Sequence, residues 1–170
     1  MSGNAEFTDV DLVGAHVGGQ LGLSGSKVTG TLIMDGLQVD QSLLMRGNEF
    51  TDVELPFAHV GGQLDLSGSK VAGTLIMNGL QVDKSLFMRG NEFTEVKLVG
   101  VRVPGQLSLT GSKVTGTLNM NSLEVGDLFM RDKAEFAEVV LVGAHVGGQL
   151  DLTGSKVAGS LDCHGLAVRQ

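Results

Sequence analysis

The chain has 170 residues and a net charge of −7, with 26 glycines, one cysteine, and no tryptophan or tyrosine. The length fits one domain, and the core must be built from Leu, Val, Met and a few Phe. The negative charge disfavours direct binding to nucleic acid or to an anionic membrane. A lone Cys163 excludes an internal disulfide framework. The segment 1–7, MSGNAEF, has neither the basic flank nor the apolar centre of a signal peptide, and no apolar run approaches a membrane span. A cytoplasmic address is the expectation.

Phe7, Phe50, Phe93 and Phe136 lie 43 residues apart, and the surrounding sequence repeats with them. A fixed period of this length points to stacked repeats rather than a globular core. In chain order, the elements are pairs of apolar or small residues spaced i, i+2. Ala15-x-Val17, Leu21-x-Leu23, Ser26-x-Val28 and Leu32-x-Met34 come first. Leu37-x-Val39, Leu43-x-Met45, Asn48-x-Phe50 and Val53-x-Leu55 follow, and Ala58-x-Val60 restarts the series. Period 2 within each pair predicts a short strand with two side chains on one face. The spacing predicts an all-β, parallel β-helix with four-sided coils of 21–22 residues, nearly eight coils in one domain over 1–170. At ~4.8 Å per coil the rod is roughly 37 Å long.

Sides one to four follow the order of these pairs. Glycines recur at two corners, Gly14, Gly36, Gly79, Gly100, Gly143 and Gly165 at one, and Gly25, Gly47, Gly68, Gly90, Gly111 and Gly154 at the other. Pro56 and Pro104 are also expected at corners, where a missing N–H does least harm. A local irregularity is expected at Arg131-Asp132-Lys133, which follows a side one residue short. Phe7, Phe50, Phe93 and Phe136 are expected in the core.

Ala5-x-Phe7, Asn48-x-Phe50, Asn91-x-Phe93, Ala134-x-Phe136 and Ala58-x-Val60 resemble the central motif of pentapeptide-repeat proteins, over residues 5–168. The resemblance implies a right-handed quadrilateral β-helix. Many sides here have six residues rather than five, and Leu often takes the place of the small residue. Some members of that family imitate duplex DNA in size, shape and charge and bind type II topoisomerases such as DNA gyrase.

Outward residues form columns of their own. Glu6, Lys27, Glu49, Lys70, Glu92, Lys113, Glu135 and Lys156 alternate in sign along side three, as a solvated ladder would. Ser24-x-x-Lys27 and Ser67-x-x-Lys70 spell an acyl-enzyme motif, but they recur with the repeat beside a glycine corner. His16 and His59 are two coils apart, near ~10 Å, too far for one zinc ion. No enzyme, cofactor or metal signature emerges.

Two surfaces are candidates for binding. An acidic face gathers Asp9, Asp52, Glu95 and Glu138 with Asp11 and Glu54, interrupted by Lys97. Leu44, Phe87 and Phe129 are expected to face water on side two, forming an apolar interface. At the last coil Leu166 and Val168 precede Gln170, and segment 1–4 is too short to cover the first. Uncovered coil ends invite strand addition, so a homodimer is expected, end to end or through side two. The preferred function is a non-catalytic structural or protein-binding rod with an unidentified protein partner. The resemblance implies an alternative, a DNA mimic that engages a type II topoisomerase such as DNA gyrase.

Overall fold

The computed structural model describes residues 5–169. Residues 1–4, the segment expected to leave the first coil uncovered, and Gln170 lie outside the described residues. The described chain is a parallel β-solenoid of about eight coils without helix. Each coil donates backbone N–H groups to its neighbours: Lys70 N–H to Asn48 O at 2.9 Å, and Lys113 N–H to Asn91 O at 2.8 Å. In this way a chain of two-residue strands satisfies its backbone without a hairpin.

The four expected sides merge into two sheets, of 10 and 13 strands. Sides three and four run as one strand in Lys27–Ile33, Glu49–Glu54, Lys70–Ile76, Glu92–Lys97, Lys113–Asn119 and Glu135–Val140. Each bends through a register shift, for example between Val71 and Thr74. Sides one and two join in the same way in Arg102–Ser108 and Glu124–Phe129. Pro104 therefore sits inside a bent strand rather than at a turn. Its missing donor is tolerated because Gly105 N–H still reaches Lys84 O at 2.9 Å.

Glycine has two jobs. All twelve glycines expected at corners have positive φ, as at Gly100 (φ +65°). These turns separate the two sheets. At the bent corners the coils approach so closely that a side chain does not fit. A Cβ on Gly105 would overlap Lys84 O, and one on Gly126 would overlap Pro104 O. Positive φ without glycine occurs at Phe57, Ser122, Asp132 and Lys133. The last two are the irregularity expected after the short side. There the corner is rebuilt by Asp132 N–H to Thr153 O and Lys133 N–H to Gly154 O.

The core is the stack of inward columns. Phe50, Phe93 and Phe136 are buried, between Val28, Val71 and Val114 on the coils before them. Large and small residues alternate along the bore, as close packing requires. Phe7 departs from the expectation: it is only half-buried, because the first described coil covers it on one side alone.

A buried polar column runs through this core. Asn48 Oδ1 accepts from Ser26 N–H at 2.9 Å, and Ser69 Oγ accepts from Asn48 N–H while donating to Met45 O at 2.7 Å. Asn91 and Ser112 repeat the pattern on the following coils. Side chains here take over the backbone groups that the corner leaves without coil-to-coil partners.

The two kinds of glycine corner respond differently to a methyl group. Gly100→Ala meets nothing within 4 Å and introduces only backbone strain, about 1–2 kcal/mol. Gly105→Ala must push the Lys84 peptide aside and is expected to cost about 3 kcal/mol or more. Urea midpoints of the two variants check the order.

Candidate functional site

Four outward faces carry the polar side chains. On side three the register stacks Glu6, Lys27, Glu49, Lys70, Glu92, Lys113, Glu135 and Lys156, as expected. Lys70 Nζ lies 2.9 Å from Glu92, while Lys27–Glu49 and Lys113–Glu135 are longer at 3.8 and 3.9 Å. The bond to Glu92, and then its charge, raise the Lys70 pKa. These groups are exposed, so the ladder contributes little to stability and sets register instead. A groove of 710 Å³ runs beside it, edged on the other side by Thr29, Thr51, Thr94 and Thr115.

Side one holds His16 Nε2 at 2.8 Å from Asp40 and His59 Nε2 at 3.0 Å from Asp83. The two pairs occupy alternate coils, separated by Gln38. His145 contacts Gly143 O. No group of three or more His, Cys, Asp or Glu able to hold a metal occurs among the described residues. Cys163 is half-buried at the last coil, and burial, followed by the Asp162 charge, pushes its thiol up.

The acidic face is partly consumed by the fold. Asp9 Oδ1 accepts from Thr31 N–H at 2.9 Å, and Asp52 Oδ1 from Thr74 N–H at 2.8 Å. These carboxylates cap the amides freed by the register shift. Glu138 accepts from the hydroxyls of Thr117 and Ser160, Glu95 pairs with Lys97 at 3.4 Å, and Asp11 caps Val13 N–H. Glu54 enters no ion pair among the described residues. Along the column it stands between Ile33 and Ile76. The acids therefore alternate with Thr, Ser and Ile rather than forming an unbroken stripe.

Side two corrects the sequence reading. Leu44, Phe87 and Phe129 stack in register with Asp65, Ser108 and Asp151 between or beyond them. All three apolar residues are half-buried rather than fully exposed. The Arg89 guanidinium lies 4.2 Å over the Phe87 ring, and Arg131 lies 4.7 Å over Phe129. The signal was present two residues downstream of each: Leu44-Met45-Arg46, Phe87-Met88-Arg89 and Phe129-Met130-Arg131 place an arginine on the same strand face.

Carboxylates lock these arginines. Arg46 Nε donates to Asp65 at 2.6 Å, and Arg131 to Asp151 at 3.1 Å. Ser108 occupies the equivalent place beside Arg89, which donates to its hydroxyl at 3.2 Å. Asp65 is buried, which alone would raise its carboxyl pKa. The bonds from Ser67 and then Arg46 outweigh burial and hold it below the ordinary carboxylate value. Asp151 is lowered by Thr153 and then Arg131.

At the C-terminal coil, Leu166 is half-buried, whereas Val168 and Leu161 are exposed. Phe57, for which the sequence analysis offers no role, is 72% exposed. No family model, no curated protein and no solved structure matches the chain.

The Asp65 bonds make stability depend on acid. A carboxyl with a lowered folded pKa contributes stability above its unfolded value of 3.8 and loses it as pH falls through the folded value. The parent is expected to lose denaturation midpoint below that value. Asp65→Asn should be weaker near neutrality, by about 1–3 kcal/mol, with a flatter profile in acid. Urea titrations across this range check both.

Proposed function

We propose that the protein is a non-catalytic, protein-binding rod. The observation that carries this reading is how the polar side chains are used. The Lys–Glu ladder, the Arg–Asp rungs, the Asn–Ser column and the corner-capping carboxylates each bond to the coil above or below. They hold register and present rigid, flat faces. Such faces suit engagement of a partner with little conformational cost on the rod's side. A rod without a membrane-crossing helix among the described residues fits a partner met in solution.

The alternative is imitation of DNA toward a type II topoisomerase such as DNA gyrase, on the acidic face Asp9, Asp52, Glu95 and Glu138. Net charge supports it. The Glu95–Lys97 pair and the intervening Ile33 and Ile76 weigh against a continuous negative surface. Pairing into a homodimer stays part of the proposal, with Leu166 and Val168 or the side-two column Leu44, Phe87 and Phe129 as its candidate surfaces.

A DNA gyrase supercoiling assay with the protein in excess separates the two readings. Unchanged supercoiling is expected for the protein-binding rod. Inhibition that is lost when Asp52 and Glu95 are replaced by Asn and Gln would put the DNA mimic in its place.

A further inference from the structure

The corner between sides four and one holds glycine with positive φ in six coils and Ser122 in another. In the remaining coil it holds Phe57, at φ 53°. An aromatic side chain is strained in this left-handed conformation, and such strain persists where something else requires the residue. The repeat supplies its own control. Val13-Gly14, Val99-Gly100 and Val142-Gly143 occupy the same place as Pro56-Phe57.

Burial in the core does not account for the phenylalanine. Four large hydrophobic residues are exposed among the described residues: Val13, Leu161 and Val168 belong to the first and last coils, and Phe57 alone lies within the rod. Its ring rests on Gly79 of the next coil, where a Cβ would come within 2.6 Å of the ring. Pro56 stiffens the approach, and Phe57 N–H is bonded to Asn78 O at 2.9 Å. A rigid, exposed aromatic loses little entropy when it docks.

The other phenylalanines indicate what covers it. Of seven, Phe50, Phe93 and Phe136 are buried and Phe7 is packed against the core. Phe87 and Phe129 face outward, and each carries an arginine over its ring. No cation stacks on Phe57 among the described residues, yet carboxylates stand close by in the fold. Glu54 precedes it on the same coil between Ile33 and Ile76, and Asp35 lies one coil back, its neighbour Gly36 bonded to Pro56 O. Neither Glu54 nor Asp35 enters an ion pair among the described residues.

We infer that Phe57 anchors a docking surface with Pro56, Ile33, Ile76, Glu54 and Asp35, and that its occupant is a basic protein segment whose arginine stacks on the ring. The partner completes in trans the arginine-on-phenylalanine contact that Arg89 and Arg131 make in cis. Arginine is specified because its planar guanidinium stacks and still offers edge N–H groups to a carboxylate, which a lysine ammonium does not. This inference rests on the protein-binding reading above and names one face for it.

The test is an NMR titration of ring-labelled phenylalanine with the peptide acetyl-Arg-Leu-Arg-Leu-Arg-amide, beside its lysine counterpart. The Phe57 ring signals, assigned by their absence in Phe57→Gly, are expected to shift saturably with the arginine peptide. Affinity should fall about tenfold in Phe57→Gly, and less in Glu54→Gln. The thermal midpoint of Phe57→Gly should equal or exceed the parent's, since glycine is the usual residue of this corner. A lower midpoint would make the ring structural and overturn the proposal. Equal affinity for the lysine peptide, or undiminished binding by Phe57→Gly, would also overturn it. If shifts map to another face, this surface is overturned and the protein-binding rod survives without it; if none saturates anywhere, this surface is overturned and the protein-binding reading loses its support from this peptide.

Discussion

The hydrogen bond from one coil to the next is the constraint on which the rest depends. Two-residue strands such as His59–Val60 and Leu64–Asp65 have no local partner. They exist only because Gln38 and Gln81 flank His59, and Leu43 and Leu86 flank Leu64, at the same height of adjacent coils. Once that stacking holds, like positions must form columns. An inward column must pack against itself, which Val28, Phe50, Val71 and Phe93 achieve by alternating size. An outward column must tolerate itself, which Lys and Glu achieve by alternating sign. In the buried polar column, Asn48 and Asn91 Oδ1 and Ser69 Oγ accept from backbone N–H groups of neighbouring coils, while the Asn48 and Asn91 Nδ2 groups have no partner among the described residues.

Much of this was legible because a period-two pattern inside a 43-residue repeat allows one register. The inward columns, the twelve glycine turns, the Lys–Glu ladder and the irregularity at Asp132-Lys133 all follow from counting residues. The merging of four sides into two sheets does not. It depends on whether a corner keeps extended backbone, and glycine serves both kinds: a left-handed turn at Gly100 and a close approach at Gly105. Residue identity alone does not separate them. Phe7 was assigned to the core by its column, and its half-burial reflects its position at the end of the stack.

The outward surface was less legible, because exposure there is decided by neighbours along the same strand. Leu44, Phe87 and Phe129 read as an open apolar strip until Arg89 and Arg131 are placed over the two rings. Phe57 shows the opposite error: an apolar residue at the end of a coil passes as ordinary. Only its substitution for the glycine of the equivalent corners, with φ kept positive, marks it out. Departures from an internal repeat were thus more informative than the repeat itself. Ser108 in place of Asp, and Pro56-Phe57 in place of Val-Gly, are two such departures.

Native-state amide hydrogen exchange tests the coil-to-coil bond most directly. Amides that donate across inner coils, such as Leu66 N–H to Phe87 O at 2.8 Å and Lys113 N–H to Asn91 O at 2.8 Å, are expected to be the slowest to exchange. Protection should recur at intervals of 21–22 residues and decline toward the first and last coils. Fast exchange at these inner amides, or protection without that 21–22-residue recurrence, would contradict the stacked-coil account.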